Sequence, residues 1–204
     1  MGMDSRLRGN DGFIDNCTAV ILAGGQSKRM GQDKAAVMFQ GKTLLQHAED
    51  KLTPLFETVV VSTREQRSDT GLPQVLDASQ SRAPMLGIAA CFEALDADWL
   101  FVVGVDMPFI SADLVQYMAS QRGNHDAVAL QAGDMVQPLC CFYHRSCLPQ
   151  MKANIQAGKR SLKHLLQAVD TRVIPESEAR VYDARLQSVV SLDTPQDLRD
   201  WSKT

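Results

Sequence analysis

A short apolar run, Cys17-Thr18-Ala19-Val20-Ile21, passes directly into Leu22-Ala23-Gly24-Gly25-Gln26-Ser27-Lys28-Arg29-Met30-Gly31-Gln32-Asp33-Lys34, and this junction constrains the chain more than any other feature. It reads as a buried strand opening into a phosphate-holding loop. Gly24 and Gly25 lack a Cβ, so the backbone there can turn sharply and bring its N–H groups against an anion. Lys28, Arg29 and Lys34 place cations alongside. The Walker pattern requires a Lys directly after its second Gly, and the dinucleotide fingerprint requires Gly-x-Gly-x-x-Gly. Neither fits, because five residues separate Gly25 from Gly31 and the next lysine is Lys34.

Beyond the loop, short apolar runs alternate with amphipathic helical patterns, which predicts βαβ units, a largely parallel sheet and an α/β fold. Strands are expected at 18–22, 58–62, 74–77 and 99–105, the last being the most hydrophobic and therefore central. Further strands are expected at 127–130, 139–142 and 189–192, with a turn at Ala132-Gly133-Asp134 between the first two. Helices are expected from Thr43 as a cap to about Leu52, over 84–95 behind Pro84, from Ser111 or Asp113 to Ser120, and at about 147–157 and 161–168. A last helix should enter at Thr194-Pro195, with Leu198 and Trp201 packing it down.

The chain has 204 residues, enough for one domain to bury about 70% of its unfolded surface. The predicted organisation is a single domain over 17–204, with Met1 to Asn16 as an extension that adds nothing to the fold and whose Met1 or Met3 need not be the native start. No apolar run approaches the ~20 residues of a membrane span, and no secretory leader is visible. A net charge of −3 argues against general nucleic-acid binding, so anion binding must rest on local basicity. The five cysteines, 17, 91, 140, 141 and 147, lack zinc-ligand spacing and read as reduced thiols of a cytoplasmic protein. Cys140 and Cys141 should face opposite sides of a strand. His47, His125, His144 and His164 have no triad-like context and read as surface or core residues.

In an open α/β sheet, ligands gather beyond the carboxyl ends of the strands. The Gly24-Gly25 loop, Ser62, Asp77 and Asp106 are each expected at such an end. Asp106 lies in Gly104-Val105-Asp106-Met107-Pro108, a carboxylate at the edge of a core, which calls for a cation. Magnesium suits it, preferring one or two carboxylates plus phosphate oxygens. Lys34 is placed to neutralise charge on a phosphoryl group, and Arg29 offers a planar fork to phosphate oxygens. Arg82, Lys159 and Arg160 are candidates for an anionic second substrate, the last two preceding a helix start.

The loop resembles the signature of the molybdenum cofactor guanylyltransferases, within the sugar-type nucleotidyltransferases: Leu-Ala-Gly-Gly-x-Ser-x-Arg-Met-Gly-x-Asp-Lys matches at every fixed position. The resemblance spans about 17–201 and implies a Rossmann-like three-layer sandwich of the nucleotide-diphospho-sugar transferase type. It implies transfer of GMP from magnesium-bound GTP to molybdopterin or its molybdenum-loaded form, releasing pyrophosphate. On this basis Leu22, Ala23, Gly24, Gly25, Lys34, Ser62, Asp77 and Asp106 bind nucleotide. Lys34, Arg29 and Asp106 are the catalytic set, and Asp106 holds Mg2+. Arg82, Lys159, Arg160 and Asp193 are assigned to the acceptor. Expected partners beyond the substrates are molybdenum-insertion proteins or molybdoenzyme maturation factors.

Three departures bear on that reading. Ser62 replaces the family's asparagine, which makes a direct base or ribose contact a water-mediated one. Ala83-Pro84-Met85-Leu86-Gly87 stands for Gly-Pro-Leu-Ala-Gly. Ser191-Leu192-Asp193-Thr194-Pro195 stands for Asn-x-Asn-Thr-Pro, so Asp193 would repel a pterin phosphate unless it is paired. A cytidylyltransferase, a nucleotidyltransferase with another phosphorylated acceptor and a non-catalytic nucleotide-binding maturation partner therefore stand as alternatives.

Overall fold

The computed structural model describes residues 12–24, 33–77 and 83–202. Strand β1 (Cys17–Leu22) is followed by a single 3-10 turn (Lys34–Ala36) and a small hairpin, β2 (Met38–Phe39) and β3 (Lys42–Thr43). Helix α1 (Leu44–Leu52) comes next, then β4 (Thr58–Thr63), β5 (Gln74–Leu76), α2 (Pro84–Ala94), β6 (Trp99–Gly104) and α3 (Ala112–Ser120). The second half comprises β7 (Ala127–Ala132), β8 (Met135–His144), α4 (Cys147–Gln156), α5 (Leu162–Ala168), β9 (Thr171–Ile174), α6 (Glu176–Ala179) and α7 (Pro195–Trp201).

Seven strands form one sheet in the order β5-β4-β1-β6-β8-β7-β9, with β6 at the centre as its hydrophobicity predicts. Only β8 runs against the others, pairing antiparallel with both β6 and β7, while β1 pairs in parallel with β4 and β6. Because helices cover both faces, the strands are apolar on both sides. Ala19, Ile21, Val59, Val61, Phe101 and Val103 point into the layer of α1, α3 and α6, and Val20, Val60, Leu100 and Val102 into that of α2, α4 and α5. The result is the three-layer α/β architecture expected.

Helix entries follow the local chemistry. Thr43 and Gln46 form a capping box at α1, and Thr194 and Asp197 form another at α7 behind Pro195, satisfying N–H groups that a helix leaves without partners. Helix α2 has no such cap, and its far end is closed by Arg145, whose guanidinium donates to the carbonyls of Phe92, Leu95 and Ala97 at 2.8, 2.6 and 3.0 Å.

Three expectations are corrected. Residues up to Asn16 are not all dispensable: Ile14 is buried in the core and its N–H donates to the Leu55 carbonyl, while the Asn16 carbonyl accepts from Trp99. The hairpin strands near 127–130 and 139–142 are longer, and β8 carries a bulge at Cys140, whose φ is +57°. The strand expected at 189–192 is a 3-10 turn (Gln187–Val189) and an extended segment. There Asp183 accepts the N–H groups of Gln187 and Ser188, a side-chain alternative to a ladder. The ninth strand, β9, was not legible from the sequence pattern.

Gly87 marks a close approach of α2 to the sheet. A Cβ there would lie 2.7 Å from Ser62 Oγ and 3.3 Å from a Leu22 methyl. Gly87→Ala is expected to cost about 1–2 kcal/mol in urea unfolding, overpacking exceeding the gain in helix propensity. Adding Ser62→Ala should recover most of that loss.

Candidate functional site

The carboxyl ends of β5, β4, β1 and β6 lie side by side, and main-chain bonds carry the sheet past them. The Ala23 N–H donates to the Ser62 carbonyl at 2.8 Å, Val105 to Leu22 at 3.2 Å and Asp77 to Thr63 at 2.8 Å. Leu22, Ala23 and Gly24 thus sit at the mouth of the sheet between Ser62 and Asp106. The chain then turns sharply at Gly104-Val105-Asp106-Met107, closed by the Met107 N–H on the Gly104 carbonyl. The Asp106 carboxylate folds back over Gly104, where a Cβ would collide with Asp106 Oδ1. Glycine at 104 is therefore what allows the carboxylate its position.

Lys34 joins three distant segments at this point. Its ammonium lies 2.5 Å from Asp106 Oδ2 and 2.5 Å from Asp193 Oδ1. The Lys34 and Asp106 side chains are 14% and 17% exposed, whereas Asp193 is 49% exposed, so the first pair is the less screened of the two. Burial pulls the Lys34 pKa down, but hydrogen bonds to Asp106 and Asp193 and their charges outweigh it, and the net shift is upward from 10.5. A raised lysine stabilises the folded state fully below its unfolded value and loses that contribution only as pH rises through the folded value. The ammonium is thus charged throughout the neutral range.

A small apolar cluster assembles this arrangement. Val37, Phe39, Leu44 and Leu192 are buried together, with Phe109, Val190, Leu198 and Trp201 packed on them. The cluster draws on the hairpin after Lys34, the loop after Asp106 and the segment around Asp193. The Leu192 N–H donates to the Asp106 carbonyl at 2.8 Å, and Phe109 lies with its ring centroid 4.8 Å from that of Trp201. Apolar packing on one side thus sets the three charged groups on the other.

Other expected site residues are placed differently. Ser62 is corrected: it is buried beneath α2, its hydroxyl against Gly87 and bonded with Cys91. The side chain packs the strand end against α2. Asp77 is half-buried at the end of β5. Lys159 and Arg160 are exposed in the turn before α5. That turn belongs to the same end of the sheet, because Lys163 of α5 reaches Met135 at the start of antiparallel β8. Gly25, Lys28, Arg29 and Arg82 lie outside the described residues.

A cavity of about 480 Å³ opens beside Gly24, bounded by Ala23, Asp33, Arg64, Arg67 and Asp69. Its β4–β5 wall escaped the sequence reading, since Thr63 to Asp69 carries no periodic pattern or matched motif. Arg67 pairs with both Asp33 and Asp69. The Arg67 hydrogen bond holds the Asp69 carboxyl below its ordinary value despite partial burial, so this pair is present at neutral pH and lost as pH falls into the acid range.

Among the described residues no group of three or more His, Cys, Asp or Glu could hold a metal. All five cysteines are free and buried, and Cys140 and Cys141 enter opposite core layers. Burial pushes the Cys17, Cys91, Cys140 and Cys147 thiols up to about 12, which suppresses the reactive thiolate. No helix among the described residues is long and apolar enough to cross a membrane.

Removing the lysine from its two carboxylates has a defined consequence. Lys34→Ala should destabilise the protein by about 1–2 kcal/mol at pH 7, less than a fully buried pair because Asp193 is half exposed. With the ammonium gone, the Asp106 and Asp193 carboxylates lose their shared counter-charge and repel each other. The difference from wild type in urea unfolding should therefore shrink as added salt screens these charges.

The profile of the MobA-like NTP transferase domain matches residues 19–173. A protein of Syntrophotalea carbinolica named molybdenum cofactor guanylyltransferase is 30% identical over 190 residues, covering 91% of this chain and 90% of that protein. A probable molybdenum cofactor guanylyltransferase of a Nostoc species is 31% identical over 193 residues, with 91% and 90% coverage. The fold is that of molybdopterin-guanine dinucleotide biosynthesis protein A from Archaeoglobus fulgidus, with a TM-score of 0.81 at 23% identity, covering 91% of this chain and 97% of the other. It is also that of 2-C-methyl-D-erythritol 4-phosphate cytidylyltransferase from Thermus thermophilus, with a TM-score of 0.67 at 16% identity and coverages of 90% and 96%. A profile that spans most of the sheet, together with relatives near 30% identity over nearly the whole chain, shows that this protein belongs to the MobA-like NTP transferase family.

Proposed function

We propose that the protein transfers GMP from magnesium-bound GTP to the terminal phosphate of molybdopterin or its molybdenum-loaded form, yielding the guanine dinucleotide and pyrophosphate. The observation that carries this reading is the convergence of Lys34, Asp106 and Asp193 at the carboxyl ends of the parallel strands, in a chain whose family relatives bear that activity in their names. In the reaction an acceptor phosphate oxygen bonds to the α-phosphorus of GTP while the bond to the bridging oxygen of the leaving pyrophosphate breaks. The nucleophile is already anionic, so no strong base is required and the protein acts by positioning and charge neutralisation.

Leu22, Ala23 and Gly24 offer backbone to the nucleotide, with Gly25 expected to do the same. Lys34 and Arg29 neutralise its phosphates, and Asp77 lies at the end of β5, with β4 between it and β1. Asp106 and Asp193 present carboxylate oxygens to one cation, the ammonium of Lys34. That donor set fits Mg2+, which takes one or two carboxylates and completes its shell with phosphate oxygens and water. When bound, the metal would supply further neutralisation of phosphate charge. Pairing with Lys34 also answers the repulsion expected between Asp193 and an anionic acceptor. Lys159 and Arg160, at the same end of the sheet, remain candidates for the acceptor phosphate, as does Arg82. The buried, unpaired thiols support a cytoplasmic setting.

The test is pyrophosphate release by the purified protein with magnesium and molybdopterin, comparing GTP with CTP, ATP and UTP. Selective release with GTP is expected. Selectivity for CTP would reassign the protein to cytidylyl transfer, and GTP binding without release from any acceptor would favour a binding role. Lys34→Ala and Asp106→Ala should each lower turnover at least ~100-fold with the fold retained by circular dichroism. Near-wild-type activity of either under saturating magnesium would remove it from the catalytic set.

A further inference from the structure

Arg67 lies in the β4–β5 loop, outside the glycine-rich signature, yet its guanidinium is built into a rigid arrangement with only 11% of the side chain exposed. Nε and Nη2 donate to Asp69 Oδ1 and Oδ2 at 2.9 and 2.6 Å, and Nη1 donates to Asp33 Oδ2 at 2.6 Å. The planar fork thus engages two carboxylates at once, a geometry that lysine cannot reproduce. The backbone of Arg67 is fixed as well. Its N–H donates to Gln74 Oε1 at 2.8 Å and its carbonyl accepts from Gln74 Nε2 at 2.9 Å, which ties the loop to the first residue of β5.

The other oxygen of Asp33 faces the catalytic lysine's own element. Asp33 Oδ1 accepts the Ala35 N–H at 3.1 Å and caps the 3-10 turn that begins with Lys34. A turn of three residues has no stability of its own. Its orientation must come from tertiary contacts: Ala35 is buried in the core on one side, and on the other the cap Asp33 is held by Arg67. A continuous set of contacts therefore runs from β5 through Gln74, Arg67 and Asp33 to the backbone of Lys34.

We propose that Arg67 is a positioning residue that acts through Asp33 to set Lys34 at the phosphate end of the site. The role rests on the nucleotidyl-transfer reading above, in which Lys34 meets the phosphates. It predicts that Arg67 matters for the triphosphate and not for the nucleoside, although its side chain borders the cavity beside Gly24.

The experiment is calorimetric titration of GTP and of guanosine into wild-type protein, Arg67→Ala, Arg67→Lys, Asp33→Asn, Lys34→Ala and the Arg67→Ala/Lys34→Ala double variant. Arg67→Ala should weaken GTP binding roughly tenfold and leave guanosine within about twofold, and in the Lys34→Ala background it should add less than about twofold, the non-additivity of coupled residues. Arg67→Lys should recover part of the loss. Asp33→Asn keeps an oxygen for Ala35 while losing the charge that meets Arg67, so it should reproduce the GTP effect in a chain with the loop intact. Equal weakening of GTP and guanosine would mean direct nucleoside contact and would overturn the proposal, as would a full tenfold loss in the Lys34→Ala background. Wild-type protein that binds GTP but releases no pyrophosphate would overturn guanylyl transfer while leaving this coupling readable. Wild-type protein that binds no nucleotide would overturn both.

Discussion

An ammonium held between two carboxylates is the interaction around which the functional end of this protein is organised. Lys34 follows the first strand, Asp106 follows the central one and Asp193 comes from the segment before the last helix, yet both carboxylates lie 2.5 Å from one nitrogen. Such a contact between partly buried charges is stable only where surrounding structure has already brought the groups together, because desolvation offsets much of the Coulomb attraction. The apolar cluster of Phe39, Leu44, Leu192 and their neighbours does that work on the adjacent face. Packing holds the three segments in place, and the three charges then meet.

The same site shows how backbone constraints reach function through sterics. Gly104 leaves the space into which the Asp106 carboxylate folds, and Gly87 leaves the space that lets α2 close over Ser62. In each case the missing Cβ matters because a second residue occupies its place. Glycine at 104, the last residue of β6, therefore bears on where the Asp106 carboxylate sits, and glycine at 87, within α2, on how closely that helix packs on the ends of β1 and β4. The second wall of the site, built by Arg67 with Asp33 and Asp69, extends the same logic to electrostatics: a planar guanidinium locks a loop to the turn that carries the lysine.

Much of the architecture was legible in the chain. Alternating short apolar runs and amphipathic segments gave the α/β class, β6 announced its central place by hydrophobicity, and Thr43 and Thr194 marked helix starts through their capping chemistry. The pattern failed where a competing local interaction intervened. At 189–192 an apolar stretch looked like a strand, but Asp183 bonds the preceding turn and Leu192 is drawn to Asp106. Ile14 was overlooked because the apolar pair Phe13-Ile14 in a polar segment is too short to show a periodicity, while the burial of Ile14 depends on Leu55 and the core beyond.

The sequence by itself determined where the candidate site would lie: a glycine-rich loop after the first strand and a carboxylate after the central apolar run both fall at carboxyl ends of parallel strands. It also placed β1, β4, β5 and β6, since burial on both faces demands continuous apolar runs. Only the tertiary structure decided which charges meet. The pairing of Asp193 with Lys34, the turning of Ser62 into the helix layer and the hold of Arg67 on Asp33 all join residues distant in the chain. Their distances are set by packing between layers, to which no local pattern of residues responds.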